Sequence, residues 1–214
     1  MAHYENGING SFHGKVGPTV GCTWKGVDYI RAVPKRSKKT PTAKQAATRL
    51  TFKYLQEWLA PLKEVITIGF KEYNPRMTAL MASHSYTYNH VLRGEYPNLY
   101  MDYASVMISY GDLPGVEDAA VRLPGSNRME ITWNPENELC DAYWGDVLFY
   151  LVYNRVTNDT LQGIGMGTRM EGMLKIDIPD TFNNQELEVY IAFKSLKNNR
   201  VSMSQYLGTH KLNF

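Results

Sequence analysis

The chain has 214 residues, 43% of them apolar and 21% charged, with a formal net charge of +2. That length allows one large domain or two small ones, and the composition excludes a disordered or membrane-embedded chain. No apolar run approaches the length of a membrane span, so none is expected.

The small net charge hides an asymmetry. Up to Tyr54 there are ten Lys/Arg against Glu5 and Asp28, or +8, and the remainder carries 13 basic and 19 acidic residues, or −6. A basic front and an acidic back suit a polyanionic partner or head-to-tail contact between copies. The opening Met1-Ala2-His3-Tyr4-Glu5-Asn6 lacks the basic and apolar regions of a signal peptide. An extracellular or cell-surface location therefore implies another export route or a leader already removed; cytoplasm and virion are the alternatives. Cys22 and Cys140 are far apart, without CxxC or Cys/His spacing, and read as two buried free thiols or as one long-range disulfide.

Six glycines between Gly7 and Gly26 are threaded through short apolar pieces. Val20-Gly21-Cys22-Thr23-Trp24, a Lys25-Gly26 turn and Val27-Asp28-Tyr29-Ile30-Arg31 predict a two-stranded hairpin arm. Glycine-rich strands pack poorly by themselves, so the arm needs a host surface. Pro34-Lys35-Arg36-Ser37-Lys38-Lys39-Thr40 is a basic linker.

Thr40 or Thr42 can cap the next helix, Pro41 suits its first turn, and Thr42 with Gln45 has capping-box spacing. Ala43, Ala47, Leu50, Tyr54, Trp58 and Leu62 recur at steps of three or four and predict its apolar face. Pro61 should kink or end it before a second short piece that stops at Gly69. Residues 75–92 predict another helix, with Met77, Leu80, Met81, His84, Tyr88 and Val91 on one side.

From Leu99 the period changes to two. Strands are expected over 99–110, 121–123, 129–133, 147–153 and 173–178, followed by a hairpin formed by 187–193 and 201–207. In its first strand Leu187, Val189, Ile191 and Phe193 alternate with Glu188, Tyr190, Ala192 and Lys194, which predicts one buried face. About seven short strands over 115 residues match an antiparallel sandwich. The fold class expected is α+β, mainly β: residues 1–98 hold the arm, linker and helices, and 99–214 the sandwich.

Trp133 on an early strand and Tyr190 on a late one resemble the core pattern of immunoglobulin-like and fibronectin type III domains, in which the early Trp packs between the sheets. A second resemblance covers nearly the whole chain. Asn6-Gly7-Ile8, Gly14-Lys15-Val16-Gly17, Trp24-Lys25-Gly26, Ile30-Arg31, the helix start at Thr40-Pro41-Thr42 with Gln45 and Arg49, Tyr190-Ile191-Ala192-Phe193 and the 202–207 segment are similar to an uncharacterised bacterial family, found mainly in Bacteroidetes. That resemblance implies a single unit of this length, with a glycine-rich front and a sandwich back, and says nothing about mechanism, since the family has no assigned activity.

No motif carries catalysis. Gly163-Ile164-Gly165-Met166-Gly167-Thr168 lacks the P-loop Lys and the strand, helix and glycine spacing of a dinucleotide fingerprint, and reads as a loop or irregular edge strand. His84 and His90 lie six apart, too far for an i, i+4 metal pair. Glu136, Glu138, Asp141 and Asp146 read as a solvated acidic loop near Trp144. No catalytic residue, cofactor or metal is expected.

The expected role is a non-enzymatic structural subunit that assembles with copies of itself, as a surface filament or a phage-like particle would. Val20, Trp24, Tyr29, Ile30 and Arg31 are the expected assembly interface, and Lys35, Arg36, Lys38 and Lys39 a basic patch for a polyanionic surface or glycan. The alternatives are a carbohydrate or cell-surface binding module, given fifteen tyrosines and four tryptophans, and nucleic-acid binding through the basic N-terminal region. The latter is the weaker because no established nucleic-acid module is present.

Overall fold

The computed structural model describes residues 3–4, 10–35, 40–125, 127–135 and 143–211. They fall into two compact units, Met1–Thr42 and Ala43–Phe214.

The first unit is an antiparallel sheet in the order β1 (His3–Tyr4), β2 (Phe12–Val16), β3 (Thr19–Trp24), β4 (Val27–Ala32). It is wider than the two-stranded ribbon expected, because Phe12–Val16 pairs with the far side of β3. Gly21 permits that pairing: a Cβ there would stand 1.9 Å from the Phe12 carbonyl oxygen. Lys25 and Gly26, at φ 47° and 79°, form the two-residue turn that matches strand twist.

The second unit begins with α1 (Ala43–Leu59), a 3-10 turn at Ala60–Leu62, α2 (Lys63–Gly69) and α3 (Ala79–His90). Pro61 lies in the 3-10 turn, so the helix breaks where proline demands it. The buried face of α1 is Thr51, Leu55, Trp58 and Leu59, continued by Leu62, and thus sits one residue round from the face expected. Two overlapping three-four patterns compete here. Leucine buries without leaving a polar atom to satisfy, whereas the half-exposed Tyr54 keeps its hydroxyl near water. Thr78 caps α3 by accepting a hydrogen bond from the Met81 N–H.

A two-stranded ribbon of β5 (Leu92–Arg93) and β6 (Tyr100–Met101) follows. Of the strand expected over 99–110 only that short piece forms; a 3-10 turn at Tyr103–Ser105 and irregular chain replace the rest. Val106 and Ile108 from that stretch still enter the core.

The remaining strands are β7 (Ala120–Gly125), β8 (Arg128–Thr132), β9 (Val147–Asn154), β10 (Thr160–Thr168), β11 (Met173–Asp177), β12 (Glu186–Lys194) and β13 (Gln205–Lys211). They make two antiparallel sheets, ordered β11-β8-β7 and β10-β9-β12-β13. The glycine-rich 163–168 stretch is an edge strand whose register is interrupted between Ile164 and Thr168.

Both faces of the four-stranded sheet are covered. On one, Leu148, Tyr150, Val152, Leu187, Val189, Ile191 and Phe193 pack against Met129, Ile131, Trp133, Leu174 and Ile176 of the smaller sheet and its continuation. On the other, Phe149, Leu151, Tyr153, Tyr190 and Ala192 pack against Leu55, Trp58, Leu59, Leu62, Val65 and Ile66. The opening strand of the last hairpin therefore has two buried faces, not one. The helices and the sheet share a core, and by compactness the chain divides at Thr42/Ala43. Gln162 fastens the two layers, its Nε2 donating to the Pro61 carbonyl at 2.6 Å while its Oε1 accepts from the Val65 N–H at 3.3 Å.

An ion pair lies inside the sandwich. Arg169 Nε is 3.6 Å from Asp146 Oδ2, both side chains are buried, and the guanidinium also donates to the carbonyls of Gly115 (2.5 Å) and Pro114 (2.7 Å). The same guanidinium lies over the Phe193 ring at 4.5 Å, and burial holds the Arg169 pKa below its ordinary value. Asp146 therefore does not belong to a solvated acidic loop; Glu136, Glu138 and Asp141 lie outside the described residues.

Candidate assembly interface

Strand register sorts the expected interface residues onto faces. Opposed pairs Val20↔Arg31, Cys22↔Tyr29 and Trp24↔Val27 share one face of the first unit's sheet, and Lys15↔Val20 continues it onto β2. Val20, Trp24, Tyr29 and Arg31 are thus brought together, with Val27 added. Ile30 points to the opposite face, among Thr19, Thr23, Asp28 and Ala32. Every residue of β4 is exposed, and Trp24 (48%), Val27 (66%) and Ile30 (65%) leave large apolar surfaces in water. Such patches mark interaction surfaces.

The backbone of β4 is open as well. Trp24 and Val27 flank the two-residue turn and so form a hydrogen-bonded pair; the alternation continues through Cys22/Tyr29 and Val20/Arg31. The Val33 N–H, which donates to the Pro18 carbonyl at 2.9 Å, confirms that phase. Asp28, Ile30 and Ala32 consequently turn their N–H and C=O groups outward, and among the described residues β4 pairs with β3 alone. Asp28 is held below the usual carboxylate range, first by the hydrogen bond from the Thr23 hydroxyl and then by one from Ser11. That keeps a fixed negative charge beside the open edge.

Lys35, exposed, follows this strand, while Arg36, Lys38 and Lys39 lie outside the described residues. Cys22 is a free, half-buried thiol, and Cys140 lies outside the described residues.

The second unit carries its own apolar surface. A groove of about 670 Å³ between α1 and α3 is lined by Phe52, Met77, Leu80, Met81, His84 and Tyr88, among others. Most of the face expected to bury α3 therefore lines this open groove, while Ala82, Ser83 and Thr87 turn inward. Small residues let α3 approach the core closely, and its larger side chains are left outside. Among the described residues no helix is long and apolar enough to cross a membrane.

A three-stranded sheet ordered β11-β8-β7 facing a four-stranded one ordered β10-β9-β12-β13, with Trp133 edge-on to Phe193 between them (5.8 Å), defines an immunoglobulin-like sandwich. The chain belongs to the Family of unknown function (DUF6266), whose model matches residues 11–208. Among solved structures it is similar to the fn3 domain of human collagen alpha-1(XX) chain, at 8% identity over 49% of this chain and 90% of that one, with a TM-score of 0.35. No curated protein matches the sequence.

Proposed function

We propose that the protein is a non-enzymatic structural subunit that assembles with copies of itself, its N-terminal sheet adding to a sheet edge of a neighbouring copy. The observation that carries this reading is β4, a six-residue edge strand with outward-facing backbone groups and large apolar side chains on both faces. Natural sheets blunt such edges with charged side chains, bulges, prolines or covering elements; β4 carries Asp28 and Arg31 but, among the described residues, has no bulge, proline or cover. Strand addition would supply main-chain hydrogen bonds, and Val27, Tyr29 and Ile30 would supply buried area. Pairing of unlike edges propagates into a filament such as a surface fibre or phage-like particle uses, whereas β4 against β4 closes a dimer.

The test is sedimentation of three proteins. The full-length chain should run as an oligomer, and the chain lacking residues 1–33 as a folded monomer. Ile30→Pro, which removes an outward N–H and leaves the β3 pairing intact, should also be monomeric. A truncated protein that still forms the full-length oligomer overturns the proposal.

A further inference from the structure

A polar hollow of about 420 Å³ opens on the second unit beside β12 and β13. At its floor is Glu188, whose carboxylate is fully buried. Its Oε2 accepts from the Tyr206 hydroxyl at 2.6 Å, and its Oε1 accepts from Thr209 at 3.0 Å and faces Arg155 Nε at 3.2 Å. Burial, then the hydrogen bond to Glu188, pushes the Tyr206 hydroxyl above its ordinary pKa, so it remains a donor at neutral pH.

Arg155 is held from three sides: by Glu188, by Glu186 at 2.7 Å, and by the Tyr103 ring, over which its guanidinium lies at 4.4 Å. The opposite wall is Arg93 paired with Asp102 at 3.5 Å, Asp102 also accepting from Ser105 at 2.8 Å. That wall is fixed to the sheet by the Tyr190 hydroxyl, which donates to the Tyr103 carbonyl at 2.7 Å. At the rim Tyr100 is 60% exposed.

We propose that this hollow binds a neutral saccharide. Its two arginines are matched by Glu188 and Asp102 within the lining and by Glu186 behind Arg155, so no unpaired positive charge is left to draw an anion. What it offers is donors and acceptors in fixed orientation, together with an exposed aromatic ring. Sugar hydroxyls are donors and acceptors at once, and a sugar's C–H face packs on such a ring. Its volume lies within the range of small-ligand sites and suits one or two sugar rings. The groups that would touch ligand are Tyr100, Arg93 and Arg155, while Glu188 and Asp102 are positioning residues. The site is built from residues of the second unit alone, so the proposal does not rest on the assembly reading.

The experiment is an NMR titration of the ¹⁵N-labelled full-length Ile30→Pro chain, monomeric whether or not the wild type assembles, with a panel of neutral mono- and disaccharides: glucose, galactose, mannose, N-acetylglucosamine, cellobiose and maltose. Acetate and phosphate serve as anion probes. At least one sugar should shift the amides of residues 93, 100–103, 155 and 209 in a saturable way, and the anions should not. Tyr100→Ala should weaken that binding about tenfold at unchanged melting temperature, because the ring contributes mainly to the ligand. No saturable shift with any sugar up to tens of millimolar, shifts caused by the anions instead, or full binding by the Tyr100→Ala protein would each overturn the proposal.

Discussion

His84 stands on α3 with its ring 4.4 Å from that of Phe52, and burial there holds the imidazole below its ordinary pKa. The unfolded chain, whose histidine keeps a value near 6.5, takes up its proton first on acidification, so the contribution of this site to stability is complete above about pH 6.5 and falls as the pH drops toward the folded value. Urea denaturation of the wild type and His84→Leu between pH 7.5 and 5 should show a wild-type decline that is shallower in the variant. Equal slopes would remove His84 from the pH dependence. The same scale holds the residues least legible in the sequence. Asp146 and Glu188 are acidic side chains at places that alternation and composition assign to solvent, yet both are buried. The groups that make burial tolerable, Arg169 for the one and Arg155, Tyr206 and Thr209 for the other, are distant in sequence.

Among the elements, β9 and β12 bear on most of the packing, since each sends alternate side chains into two cores. A fragment comprising residues 99–214 would keep the contact with the smaller sheet and lose the helices over Phe149, Leu151, Tyr153 and Tyr190. Leaving such large side chains in water forfeits about 1.5–3 kcal/mol each, and a marginal domain cannot absorb several such losses. Residues 43–214 should therefore fold cooperatively, while 99–214 should bind a hydrophobic dye and lack a sharp thermal transition. A sharp transition in the shorter fragment would contradict the shared core. Part of this was legible: Pro61, the Lys25-Gly26 turn and five of the seven sandwich strands stand where turn chemistry and period predict them. The uninterrupted apolar run of β9, Val147-Leu148-Phe149-Tyr150-Leu151-Val152-Tyr153, was itself a sign of cover on both sides. The outward stripe of α3 was not legible, because periodicity marks an apolar face without saying whether a core or an open groove receives it.

For the whole molecule, charge follows the two units. Residues 1–42 carry seven Lys/Arg against two Asp/Glu, and residues 43–214 carry 16 against 19. Assembly that sets the basic first unit against an acidic neighbour should weaken as salt rises toward 1 M, where the screening length is about 3 Å. Sedimentation at 0.05 and 1 M salt measures this, and an unchanged oligomer would leave strand pairing and apolar burial as the whole attraction. The two-sided cover of the central sheet also has a consequence in time. Backbone amides in the middle of β9 and β12 reach water only when both cores open together, so deuterium should enter them at the rate of global unfolding. The outward amides of β4, unpaired among the described residues, should exchange almost as an unfolded chain does until a partner strand arrives. The molecule thus carries its slowest clock at the centre of one unit and its fastest on the free edge of the other.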